Sequence, residues 1–184
     1  GGVVAKEYGV SREEQDQWAL RSQQRAAAAV AGGLLKEEIV PVTIKGKKGD
    51  TIVDTDEGPR PGSSIEALAK LPPLFDKENT VTAGNAPSTN DGASALLLMS
   101  KEKAQSLNLK PLATIVGHTM VSADPAYIAT VPALAGNKLL QKLGMTINDI
   151  GLIEANEAFA AVTLVSGKIT GWDPERVNVN GGAI

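Results

Sequence analysis

The 184-residue sequence is 42% hydrophobic, enough for one domain that buries roughly 70% of its unfolded surface or for two small ones. Eighteen basic residues against 21 acidic ones leave a formal charge of -3, which offers no general field for nucleic acid or an anionic membrane. The absence of cysteine excludes disulfides and thiolate metal sites, and the longest apolar runs, Ala26 to Ala31 and Ala95 to Met99, are far too short to span a bilayer. No signal-peptide pattern opens the chain, so the cytoplasm is the expected location.

In chain order, Gly9 closes a first helical piece, and the capping-box pair Ser11 and Glu14 opens a helix that runs through Trp18 and an alanine-rich stretch to Gly32 and Gly33. Val40, Val42 and Ile44 alternate as a half-buried strand, and "KGKKGD" turns the chain into a second strand at Thr51 to Val53, predicting a hairpin. After the exposed loop "DEGPRPGSS", Ser63 or Ser64 caps a short helix from Ile65 to Leu71 that Pro72 and Pro73 end.

From Thr80 the pattern changes. "TVTAGN", "ASALLLM", "PLATIVGHTMV", "DIGLIEA" and "RVNVN" read as apolar strands. Between them lie a helix capped by Ser100, a helix "PALAGNKLLQKLG" ended by Gly144, and a helix from Ala158 to Ile169. Alternation of strand and helix predicts an α/β layered sheet with helices on its faces and ligands at the βα junctions. The final "NGGAI" is a glycine turn after a strand, and reads as an element interrupted.

Candidate chemistry concentrates at "EANEAFAAV", the passage from strand to helix at residues 154–162. Asn156 there reads, on the residues alone, as the cap of a helix starting near Glu157. Glu157 is either a general base or an acid held by the helix N-terminus, of which the second is favoured. The lone His118 sits in an apolar strand and reads as a packed or half-exposed side chain. Asp54, Asp56 and Glu57 lack the glycine and glutamate spacing of a calcium loop, and "GKKGDT" lacks the order of a phosphate-binding loop, so no metal site is expected.

"VSREEQD", "KEEIVPV", "DTDEGPRPGSSIEALAKL", "TVTAGNAPSTNDGASALLLMS", "EANEAFA" and "VNVNGGAI", collinear from Val3 to Ile184, together resemble the thiolase family, the acetyl-CoA C-acyltransferases. The resemblance implies a thiolase-like α/β fold of layered α/β/α domains with an inserted loop domain. It implies a division into a loop domain over residues 1–89, the last elements of a first core domain over 90–109, and a second core domain over 110–184. It places the family's nucleophilic cysteine before residue 1 and its histidine and second cysteine beyond Ile184, so the sequence is expected to be part of a thiolase.

The implied activity is thiolysis of 3-ketoacyl-CoA or the reverse Claisen condensation of two acyl-CoA molecules, through an acylated cysteine. The runners-up are a noncatalytic CoA-binding or scaffolding chain and a related condensing enzyme such as a ketoacyl synthase, over which "NEAF" with "NVNGGAI" favours thiolase. In the family the asparagine matching Asn156 holds a water that acts with the histidine as an oxyanion hole.

Coenzyme A or acyl-CoA is implied as substrate, with no resident cofactor. Arg60 and Ser64 resemble CoA contacts, against the alternatives of a solvated arginine and a helix cap. Leu71, Phe75, Ala83 and Gly84 match the apolar wall, and Ala158 and Phe159 match the residues at the reactive end of the pocket or else serve as core. Pro87 stands where many thiolases carry a serine that contacts pantetheine. A dimer or tetramer is implied, with no nucleic-acid or membrane partner.

Overall fold

The computed structural model describes residues 2–75 and 77–184. Helix α1 (Gly2–Glu7) stops ahead of Gly9, whose φ of 62° closes the turn. Helix α2 (Arg12–Ala31) starts as its sequence predicts: the Glu14 N–H donates to Ser11 Oγ at 3.0 Å while the Ser11 N–H donates to the Glu14 carboxylate at 2.6 Å. Two of the otherwise orphaned donors of the first turn are thereby satisfied.

Strands β1 (Val42–Ile44) and β2 (Thr51–Val53) form the predicted antiparallel hairpin, with Val42 opposite Val53. It stands away from the core, for only Val53 of the six residues is even half-buried. Helix α3 (Ile65–Ala69) is capped by Ser64 and α4 (Lys101–Ser106) by Ser100. A 3-10 turn (Pro125–Thr130), capped by Asp124, leads into α5 (Val131–Leu143), which ends at Gly144 with φ of 67°.

Helix α6 (Ala160–Thr170) occupies the centre and packs against α1, α2, α5 and the 3-10 turn. Its Ala161, Val162 and Val165 meet Val4, Ala5, Val10 and Ala129 in one buried cluster. Ala160 on its other side meets Trp18 and Val177 in a second. The alanines at these contacts let helix axes approach closely, so a chain with only 3% aromatic residues still encloses a core.

The predicted strands after Thr80 are only partly formed. "TVTAGN" pairs through one antiparallel bridge, Pro73 with Thr82, and "DIGLIEA" and "RVNVN" meet through one parallel bridge, Ile153 with Val177. "ASALLLM" and "PLATIVGHTMV" carry no ladder among the described residues. A segment becomes a strand only when a neighbouring backbone takes its N–H and C=O groups, and no described backbone does so there; the Met120 and His118 carbonyls meet only the side chains of Lys138 and Lys142. Their side chains stay in solvent accordingly: Leu96 is 86% exposed, Leu97 81% and Met120 85%. The last predicted helix also begins later than expected, at Ala160 instead of Ala158.

Candidate active site

The junction at residues 153–160 is held at both ends. The parallel bridge sets its start: the Ile153 N–H donates to the Arg176 carbonyl at 2.9 Å and the Asn178 N–H to the Ile153 carbonyl at 2.9 Å. Its end is set where the Ala160 N–H donates to the Asn85 carbonyl at 3.0 Å. That bond ties the first turn of α6 to the turn at Thr82–Asn85, which carries Ala83 and Gly84.

Asn156 lies between these ties, exposed, and its amide has no partner among the described residues. It caps nothing. The N-cap of α6 is Phe159, which has no side-chain capping bond, and the helix's first N–H is satisfied by Asn85. The cap reading of Asn156 fails because the segment stays non-helical for three residues beyond it.

Glu157 likewise departs from expectation. It precedes the helix and is fully buried, with its carboxylate ringed by donors from distant segments. Trp18 Nε1 and Asn178 Nδ2 donate to Oε1 at 2.8 and 3.0 Å, and Ser22 Oγ and the Ile184 N–H donate to Oε2 at 2.7 and 3.2 Å. A buried carboxylate is tolerated when its lone pairs are filled in this way. It is a structural anchor, and a base so occupied has no free lone pair to offer a substrate proton. Gly182 packs directly on it: a Cβ there would lie 2.2 Å from the Glu157 Cδ. Three residues upstream, Glu154 has its carboxyl pushed up by burial and by the charge of Glu157.

Helix α2 carries a second buried polar group into the site's other wall. Arg12 pairs with Asp16 at 2.7 Å and donates to the carbonyls of Leu68 and Leu71, at 2.7 and 3.2 Å. Asp16 accepts from Asn85 Nδ2 at 2.9 Å, and Asn85 Oδ1 accepts the Thr82 N–H at 2.8 Å. Asn85 thus fixes its own turn by its side chain and α6 by its carbonyl.

The sequence-predicted contacts fall into two groups. Leu71 and Gly84 come together with Leu68, for a Cβ on Gly84 would lie 2.5 Å from both leucine methyls. Ala158 and Phe159 are half-buried and pack on the core cluster of α6. Ala83 is exposed, and Phe75 is 86% exposed on a backbone with φ of 75°. Arg60 is exposed, its guanidinium without an ion pair or hydrogen bond among the described residues, while its N–H donates to Gln23 Oε1 at 2.6 Å. Ser64 is occupied as the cap of α3, its Oγ accepting from the Ala67 N–H at 3.3 Å.

His118 is exposed, its imidazole in no ion pair or hydrogen bond among the described residues, while its carbonyl accepts from Lys142 Nζ at 3.4 Å. No group of three or more His, Asp or Glu side chains among them could hold a metal ion. Nor is any of their helices long and apolar enough to cross a membrane. Residues missed in the sequence are Asp16, Asn85, Trp18, Ser22 and Asn178, which act across separations of 21 to 139 residues that leave no local pattern.

The family model described as "Thiolase, N-terminal domain" matches residues 2–102, and that described as "Thiolase, C-terminal domain" matches residues 109–184. The chain belongs to the thiolase family. It is 54% identical over 179 residues to an acetyl-CoA acetyltransferase of Syntrophomonas wolfei, covering 96% of this chain and 45% of the relative. It is 51% identical over 182 residues to that of Pseudomonas aeruginosa, covering 98% of this chain and 46% of the relative.

The crystal structure of the Bacillus anthracis acetyl-CoA acetyltransferase superposes with a TM-score of 0.96 at 43% identity, over 99% of this chain and 46% of that one. The fold is therefore the thiolase-like α/β fold. The chain spans about half the length of the thiolases it matches. Within the family frame, the exposed amide of Asn156 stands in the motif "NEAF" and the anchoring carboxylate of Glu157 directly follows it.

Proposed function

We propose that the protein is a thiolase-type acyltransferase, cleaving 3-ketoacyl-CoA by thiolysis or condensing two acetyl-CoA molecules to acetoacetyl-CoA. The observation that carries this reading is Asn156: an exposed amide with no hydrogen-bond partner among the described residues, on a backbone tied at Ile153 and Ala160, in a chain of the thiolase family. A partner-free amide whose backbone is already fixed can bind a water or an oxyanion without first breaking a bond in the protein. Asn156 is assigned to hold the water that stabilises the thioester oxygen as it gains negative charge.

Acyl-CoA is the substrate in this reading. Arg60, with its uncommitted guanidinium, binds the nucleotide end, and Leu71, Phe75, Ala83 and Gly84 wall the pantetheine. Ala158 and Phe159 line the acyl end, while Ser64 reaches pantetheine only in addition to its cap. The residues divide into a loop domain to about 89, a short piece of one core domain to about 109 and a second core domain thereafter. The reading includes a cytoplasmic dimer or tetramer with no resident cofactor. The 184 residues contain no cysteine, so taken alone they are inactive, because covalent acyl transfer requires a thiol from elsewhere.

The test is turnover of acetoacetyl-CoA with CoA by the full-length gene product and its Asn156 variants. Asn156→Ala is expected to lower kcat by up to about 10² to 10³, the worth of a direct oxyanion donor, and less if acting through water. KM for CoA should hold. Asn156→Asp, which sets a negative charge beside the oxyanion, should be at least as slow. Wild-type kcat in both variants would exclude the assigned role, and a wild-type protein that binds CoA without turnover would favour a noncatalytic CoA-binding chain.

A further inference from the structure

The assignment of Asn156 leaves open what orients it, since its own side chain makes no hydrogen bond among the described residues. Its two neighbours supply the answer. Ala155 donates its N–H to Asn178 Oδ1 at 2.8 Å and accepts from Asn178 Nδ2 at 2.9 Å, so a single amide side chain takes both backbone groups of the residue before Asn156. The same Nδ2 donates to Glu157 Oε1 at 3.0 Å, reaching the residue after it. Asn178 is 2% exposed and brackets Asn156 from both sides.

The backbone of Asn178 explains why a side chain does this work. With φ of 48° it leaves the extended region, so the strand that pairs Val177 with Ile153 turns away after one bridge. The ladder bonds that Ala155 would have received from a continuing strand are supplied by the carboxamide, whose adjacent acceptor and donor match a peptide group. Asparagine is one of the few side-chain-bearing residues that adopts such a φ readily. The bend and the clasp are therefore one feature of one residue.

Glu157 completes the fixture. Its carboxylate holds the clasping Nδ2, and through Trp18, Ser22 and the Ile184 N–H it is itself fastened to α2 and to the segment after the bend. Ser22 Oγ also accepts the Gly182 N–H at 3.0 Å. Rotation of the 155–157 backbone would break several of these bonds together.

We propose that Asn178 is a positioning residue for Asn156, its carboxamide clasping Ala155 and bonding Glu157 so that the amide between them is held toward the reacting centre. This rests on the acyltransferase reading given above. The role predicts a defect in turnover, not in CoA binding, because Asn178 makes no hydrogen bond to the assigned CoA wall among the described residues.

The experiment compares Asn178→Gly, Asn178→Asp, Asn156→Ala and the Asn156→Ala/Asn178→Gly double variant in the full-length gene product, measuring kcat and KM with acetoacetyl-CoA and CoA. Glycine keeps the left-handed φ open and removes only the clasp. Aspartate keeps the acceptor for Ala155 but turns an oxygen toward the Ala155 carbonyl and the Glu157 carboxylate. Both single changes at 178 are expected to lower kcat by about tenfold to a hundredfold with KM for CoA unchanged, as misplacement of a group at the reaction does.

Because Asn178 acts through Asn156, the double variant should be no slower than Asn156→Ala alone, whereas independent effects multiply. Ser11→Ala, which removes the cap of α2, controls for loss of stability and should keep the wild-type kcat. Multiplying effects in the double variant, an unchanged kcat in Asn178→Gly, or an equal loss of kcat in Ser11→Ala would each overturn the positioning role. Lack of acyl transfer by the wild type would instead overturn the acyltransferase reading, and this inference with it.

Discussion

Replacing Glu157 by glutamine tests the anchor that joins three distant segments. The carboxylate presents two oxygens to four donors, two on each. A glutamine amide retains one oxygen and substitutes an NH2 for the other. Turned toward Trp18 and Asn178, the NH2 faces two N–H groups that cannot accept. Turned toward Ser22, it is accommodated by rotation of the hydroxyl, but the Ile184 N–H, 3.2 Å from that position, loses its acceptor. The second orientation is the cheaper. It strands one backbone donor, costing about 1 to 3 kcal/mol, and weakens two charge-assisted bonds by about 1 kcal/mol each. Release from burying a charge offsets part of this, leaving a net loss of about 2 to 3 kcal/mol.

At roughly 2 to 4 °C per kcal/mol for a chain of this size, the melting temperature should fall by about 5 to 10 °C. Calorimetry of the full-length protein and its Glu157→Gln variant measures this directly. A melting temperature within about 1 °C of wild type, or above it, would refute the view that a negative charge at 157 holds these segments.

Gly182→Ala should be destabilising by about 3 kcal/mol or more, because its Cβ would lie 2.2 Å from Cδ of the fully buried Glu157; a normal thermal melt would contradict that packing. Gly84→Ala clashes with the methyl ends of Leu68 and Leu71 alone, Thr82 Oγ1 lying at an ordinary 3.7 Å, so a smaller loss of about 1 kcal/mol is expected, with a raised KM for CoA if those leucines wall the pantetheine. Ser11→Ala removes a cap worth about 1 kcal/mol. The Glu14 carboxyl is held low chiefly by the Ser11 N–H, so its contribution is present above the ordinary carboxylate pKa and is lost as pH falls through the lowered one; acid titration of wild type against Glu14→Gln should show that the difference shrinks at low pH. Finally, a polypeptide of residues 1–184 alone should scatter light as a species larger than 19.1 kDa, since Leu96, Leu97 and Met120 lie open; a monodisperse, cooperatively melting monomer would count against it.

Local features of this protein follow from its sequence because the interactions that create them lie within a few residues. The capping box of α2, the caps at Ser64 and Ser100, the hairpin between Val42 and Val53 and the glycine stop at Gly144 each require a partner no more than about one turn or one loop away. The motif around Asn156 is legible for another reason: its order of residues, collinear with several others, lies within the stretch that matches a thiolase family model. Tertiary structure decided the rest. Its apolar run marked "ASALLLM" as a strand, but pairing depends on a neighbouring backbone, and none of the described residues supplies it. Glu157 looked like the first acid of a helix, and became a buried anchor only because folding brings Trp18, Ser22, Asn178 and Ile184 around it. Periodicity records how a residue sits on its own element. Which buried donors converge on one carboxylate is set by the packing of α2, α6 and the bend at Asn178, and that information exists only once the segments have met.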